Sequence, residues 1–185
     1  MTGALSSNSL VRLLAAVLLL SCAGCVQRAA FRTAPEPSAR TVRLDVPFIA
    51  QAGRTDCGPA ALASVLWHRG RRVPLDEITR RVFTPKMERT LLPDMENYAA
   101  ALGFRTRSGQ GDPAFLRARV DAGTPVILLL DMGGALFSQG HYVVVFGHDE
   151  NGFLLHAGTL ENAFLSDGEL LERWQSMNRL YLVLE

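Results

Sequence analysis

Helix patterns and strand patterns fall in different halves of this chain, and that segregation restricts the fold more than any composition does. Gly58-Pro59 opens the run Ala60-Ala61-Leu62-Ala63-Ser64-Val65-Leu66-Trp67, rich in helix formers, with proline in the first turn where its missing N–H costs nothing. Residues 75–82 and 93–102 are two more helical candidates; the second has Asp94 and Glu96 near its start and is stopped by Gly103. Asp112-Pro113 starts another, over 114–122, which Gly123 ends. Pro125 then leads into Val126-Ile127-Leu128-Leu129-Leu130, an unbroken apolar run of the kind a strand shows when both its faces are covered. Residues 141–146 and 152–156 flank His148-Asp149-Glu150-Asn151 and read as a hairpin whose turn closes with Asn-Gly. Ser166 with Glu169 predicts a capping box ahead of a helix over 170–174, and residues 179–184 predict a closing strand. The expected fold class is α+β, a helical half packed on a mostly antiparallel sheet.

The first residues read as an address rather than as part of that fold. Arg12 precedes a short Leu/Ala/Val core that ends in Ser21-Cys22-Ala23-Gly24-Cys25, the layout of a secretory signal peptide over residues 1–24. Its apolar stretch falls well short of the roughly 20 residues a spanning helix needs. Small residues directly before Cys25 resemble a bacterial lipobox, so Cys25 is the expected lipidated residue, with Cys22 the weaker candidate. Residues 25–41, with Pro35, Pro37 and Ser38 and no apolar period, read as a flexible tether to a domain over 42–185. The chain is thus expected in the bacterial cell envelope, held to the membrane through its lipid. Charge adds one exclusion: 19 basic against 18 acidic side chains leave nothing to drive nucleic-acid binding by counterion release.

Cleavage before Cys25 removes Cys22, and acylation occupies Cys25, so Cys57 remains as the one free thiol of an exported protein. A lone thiol in an oxidising compartment is either a buried small hydrophobe or a group kept for its reactivity. Cys57 stands at the start of the first helix, where backbone donors and the helix dipole favour a thiolate, and its pKa is expected to fall towards neutrality. His141 opens the first strand of the hairpin and is the candidate base. Gln51, six residues before the thiol, is a candidate oxyanion donor together with the Cys57 N–H. His68 and His148 read as surface residues, and the histidines have no short metal-ligand spacing, so no metal is expected.

Gln51-x5-Cys57-Gly58-Pro59-Ala60, preceded by Leu44-Asp45-Val46-Pro47-Phe48 and followed by Gly140-His141-Tyr142-Val143-Val144-Val145, resembles the bacteriocin-processing, double-glycine leader peptidase family of papain-like cysteine peptidases. The resemblance covers roughly residues 42–184. It implies a papain-like fold, thioester chemistry on a peptide or protein substrate, no cofactor, and catalytic roles for Gln51 at the oxyanion, Cys57 as nucleophile and His141 as base. In one place the chain departs from the family. Where the family carries an Asp that orients the histidine, this chain has Leu155-His156-Ala157-Gly158, making His156 the nearest positional match; Asp149 and Asp131 rank lower. A neutral imidazole there accepts a hydrogen bond but stabilises an imidazolium less than a carboxylate does.

Two other readings stay open at this level. The same thioester can be resolved by an amine, which makes an acyl or amide transferase. Loss of the Asp also suits a catalytically silent, peptide-binding lipoprotein.

Overall fold

The computed structural model describes residues 31–134 and 137–185; the expected signal peptide and the lipidation candidates Cys22 and Cys25 lie outside them. The elements in chain order are β1 (Arg32–Thr33), β2 (Val42–Arg43), α1 (Cys57–His68), α2 (Leu75–Val82), β3 (Phe83–Thr84), β4 (Arg89–Thr90), α3 (Leu92–Ala101), β5 (Thr106–Gln110), α4 (Pro113–Asp121), β6 (Val126–Asp131), β7 (Gly140–His148), β8 (Gly152–Ala157), β9 (Leu160–Ser166), α5 (Asp167–Gln175) and β10 (Leu180–Leu184). The main sheet runs β1-β9-β8-β7-β6-β10-β5, with β2 also paired to β7, and every pairing is antiparallel.

Both faces of this sheet are covered. Successive residues of a strand point to opposite faces, so Ile127, Tyr142, Val144, Phe146 and Leu182 pack with α1, α2 and α3. Leu128, Leu130, Val143, Val145 and Val183 pack with α4 and α5 on the other side. The α+β class expected from sequence is the observed one, with a refinement: the helices are shared between the faces instead of forming one half. Helix α1 is buried from Gly58 to Leu66 because it lies between the sheet and the helices α2 and α3, which explains a run with no polar stripe.

Four local features depart from the sequence reading or were not announced by it. Residues 106–110 form β5 although Thr-Arg-Ser-Gly-Gln shows no apolar alternation; an edge strand needs only one partner, here β10 over five residues. Residues 160–166 form β9, whose alternation is interrupted at Asn162 with φ 56°, where the register against β8 shifts. His148 is no surface turn residue: it ends β7, is buried, and its Nε2 lies 2.9 Å from Asp121 Oδ1. Upstream of Val42, Arg32–Thr33 pair with Phe164 and Ala163 of β9, and the Arg32 guanidinium donates to Glu169 at 2.6 Å. Part of the stretch read as tether therefore covers what is otherwise an unpaired strand edge. The capping box forms as read, Ser166 Oγ accepting from the Glu169 N–H and Glu169 accepting from the Ser166 N–H.

Candidate active site

Cys57 is the first residue of α1, and its helix neighbours explain why its sulfur can reach the sheet. Gly58 follows it, and a Cβ placed there would stand 2.9 Å from Thr90 Cβ and Cγ2 and 3.2 Å from Tyr142 Cδ2. Only a residue without a side chain lets the helix start come this close to β4 and β7. Pro59 has no N–H, so the donors at this helix end are those of Cys57 and Gly58. Both are directed at the Cys57 sulfur, and so is the backbone N–H of Tyr142. Tyr142 directly follows His141, so the helix end meets β7 at its histidine end.

Gln51 and His141 converge a short distance away. Gly158, at φ 62° in the turn between β8 and β9, has its Cα against both: a Cβ there would fall 3.0 Å from Gln51 Oε1 and 3.2 Å from His141 Cε1. The Gln51 N–H donates to the Gly158 carbonyl at 3.1 Å, which ties the loop before α1 to this turn. Sulfur and imidazole thus flank the same end of β7, but among the described residues no hydrogen bond joins them.

Two hollows open at this place. A cleft of about 560 Å³ runs from Cys57 past Arg54, Arg89, Thr90 and Tyr142 to Gln139 and Met177. A smaller one of about 210 Å³ lies on the other side, against Gln51, His141, Gly158 and Leu160, with Phe31 and Met132.

The ionisation expected of Cys57 needs correcting. Burial pushes the thiol above its ordinary value, and Asp56 beside it adds to that, outweighing the three N–H donors. Burial also holds His141 below the ordinary imidazole value. Both shifts favour the uncharged forms, thiol and imidazole, over a thiolate–imidazolium pair. Tyr142 stays a neutral phenol, its pKa pushed far up, by burial first.

His156 does not orient His141. It faces Val144 across the β7–β8 ladder, its Nε2 lies 3.0 Å from the Val46 carbonyl, and its ring stacks on Phe146 at 4.2 Å. The substitutes ranked below it are engaged elsewhere as well. Asp149 Oδ1 accepts the N–H groups of Asn151 and Gly152, and Asp131 Oδ1 accepts those of Gly133 and Gln139. Sequence reasoning missed Tyr142 N–H, a backbone group without any residue signature, and Gly158, whose only signal was its place after the strand of His156. Among the described residues no group of three or more His, Cys, Asp or Glu is placed to hold a metal ion.

A thiol at the start of a buried helix, met across a cleft by the histidine end of an antiparallel strand, defines the class of papain-like cysteine peptidases. The Peptidase C39 family model matches residues 45–182, and the chain belongs to that family. Among solved structures it is similar to the peptidase domain of Streptococcus ComA, a bi-functional ABC transporter involved in quorum sensing. That match has 28% identity and TM-score 0.62 over 77% of this chain and 97% of the other. It also shares its fold with a double glycine motif protease from an AMS/PCAT transporter in complex with the leader peptide, at 18% identity and TM-score 0.63, over 77% of this chain and 93% of that one. A C39-like peptidase from Bacillus anthracis shares the fold too, at 15% identity and TM-score 0.65, over 78% of this chain and 97% of the other. No curated protein sequence matches. Family and fold together make the chain a cysteine peptidase.

Proposed function

We propose that this chain is an exported, lipid-anchored cysteine peptidase that cleaves peptide bonds with Cys57 as nucleophile, His141 as base and Gln51 at the oxyanion. The observation that carries the reading is the meeting of the α1 start with β7: the Cys57 sulfur sits on the N–H next to His141 at the mouth of the larger cleft, while Gln51 and His141 share Gly158.

In the reaction the sulfur adds to the scissile carbonyl as the S–H proton passes to His141. The new C–S bond leaves charge on oxygen, which the Cys57 N–H and the Gln51 amide receive. The C–N bond breaks as His141 returns its proton to the leaving amine, and water then hydrolyses the thioester, restoring the thiol. With both partners neutral at rest, His141 acts as a true base during attack. The substrate is a peptide, and because one fold relative holds a leader peptide and is named for a double glycine motif, a peptide with a Gly-Gly step is the first to try.

Anchoring rests on the amino-terminal pattern alone: Cys25 carries the lipid and holds the chain at the cell envelope.

The test is mass spectrometry of a Gly-Gly-containing peptide library incubated with the wild-type chain and with Cys57→Ala. Cleavage by wild type and its loss, by about a thousandfold or more, in the variant is the expected outcome. Equal cleavage by both removes Cys57 from the chemistry. Products carrying an added amine reassign the chain as a transferase, and binding without turnover by wild type reassigns it as a silent binder.

A further inference from the structure

The Nδ1 atom of His156 is buried and meets no protein donor. The residue is 5% exposed, so neither its ring nor this nitrogen reaches bulk solvent. Its tautomer follows from its partner: the Val46 carbonyl can only accept, so Nε2 carries the hydrogen and Nδ1 is a bare acceptor. Stacking on Phe146 and contact with Phe48 hold the ring in that orientation. A buried acceptor without a donor costs about 1–3 kcal/mol, enough that native structures nearly always supply one.

Directly beside it lies a void of about 10 Å³ lined by His156, Cys57, Ser64, Tyr142, Val144 and Gly158, among others. That is close to the least space, about 10–15 Å³, that holds a water, and such a water needs two to four polar partners. The lining supplies three. His156 Nδ1 accepts. Ser64 Oγ, which donates to the Ala60 carbonyl and accepts from the Ile49 N–H, keeps one lone pair. The Cys57 sulfur donates as thiol and accepts as thiolate.

We propose that this void is a single-water site through which His156 Nδ1 is coupled to Cys57, making His156 a positioning residue for the nucleophile rather than for His141. The water donates one hydrogen to Nδ1. Its oxygen takes the S–H of the resting thiol, and once the proton has left, its second hydrogen turns to the thiolate. No covalent bond forms or breaks at His156. His156, the nearest positional match to the family's Asp, therefore acts on the opposite member of the pair. The groups that set charge here are Asp56 beside the thiol, His141 and Tyr142 on β7, and Asp94 of α3 beyond Tyr142. Glu161 of β9 and Arg43 of β2 face His156 itself. This extends the peptidase reading, but its geometry does not depend on turnover.

The test compares iodoacetamide alkylation of Cys57 against pH in the processed chain, in His156→Gln and in His156→Asn, alongside a high-resolution crystal structure and thermal midpoints. Gln keeps a donor for the Val46 carbonyl but removes the acceptor at Nδ1; Asn does the reverse. The structure should show a water within hydrogen-bond distance of Nδ1. Loss of one hydrogen bond to the charged form should move the alkylation profile of His156→Gln to higher pH by about one unit, roughly tenfold slower at fixed pH, while His156→Asn stays within about twofold of wild type although less stable. An empty void, an unmoved His156→Gln profile, or two variants that slow in proportion to their lost stability would each overturn the proposal. Alkylation needs no peptide, so these outcomes stand apart from any failure to find cleavage.

Discussion

Burial moves the Cys57 thiol and the His141 imidazole away from their ordinary ionisation in opposite directions, and the pH behaviour follows from the signs. A raised thiol pKa leaves little thiolate at pH 7, so alkylation should be slow there and climb only above the ordinary thiol range. A lowered imidazole pKa keeps His141 neutral and able to accept a proton below pH of about 6.5, so peptide cleavage should hold its plateau past that point before falling. Fast alkylation at neutral pH that no longer rises in alkali would contradict the first sign, and cleavage that on acidification already falls above pH of about 6.5 would contradict the second. Gly158 offers a second check. Its φ of 62° costs an L residue about 1–2 kcal/mol, and a methyl there presses on Gln51 and His141 together. Gly158→Ala should lose turnover by about a hundredfold with only that modest drop in unfolding free energy, measured by urea denaturation beside peptide cleavage. At this scale Cys57, His141 and Gln51 were legible as types in context, since a cysteine before Gly-Pro at a helix start has few structural uses. The place of His156 was not legible: strand alternation does not say whether a ring will face a neighbouring histidine or the Val46 carbonyl.

Among the elements, the helices were the most readable, because proline and glycine mark their ends: α4 begins at Pro113 and Gly123 lies just past it, and Gly103 lies just past α3. The strands missed were β1, the small β3–β4 pair, β5 and β9; of these β5 has no apolar alternation and β9 is interrupted by a residue at positive φ. β1 has the most direct experimental consequence. It covers the β9 edge, and Phe31 before it packs against the core and walls the hollow beside His141. A chain begun at Val42 should lose about 1–2 kcal/mol of stability for the partly buried Phe31 and aggregate more readily through the bared edge. Urea unfolding and light scattering, against a chain begun at residue 26, measure this; equal stability and solubility would make the arm dispensable.

For the molecule as a whole, the sheet is the frame that brings the ends of the site together. Gln51 and Cys57 arrive before and at α1, while His141 and Gly158 lie more than 80 residues further along the chain. They meet because β7 and β8 lie side by side in the sheet and α1 packs across their face. No helix among the described residues is long and apolar enough to cross a membrane, and the lipid attachment proposed at Cys25 has its own test. Cys25→Ser in the full chain expressed in a bacterium should move the protein from the membrane to the soluble fraction and leave peptide cleavage of the extracted protein unchanged. Redistribution on Cys22→Ser instead would move the anchor to that residue. By itself the sequence determined the helix ends, the central hairpin, the α+β class and the residue types able to do thiol chemistry, because these depend on local backbone preference and short-range periodicity. Only the tertiary structure decided that helices cover both faces, that the half-buried thiol is desolvated enough for its pKa to rise, and that His156 faces the nucleophile's side. Those depend on which distant segments exclude water from one another, and desolvation belongs to the packed assembly rather than to any one stretch of chain.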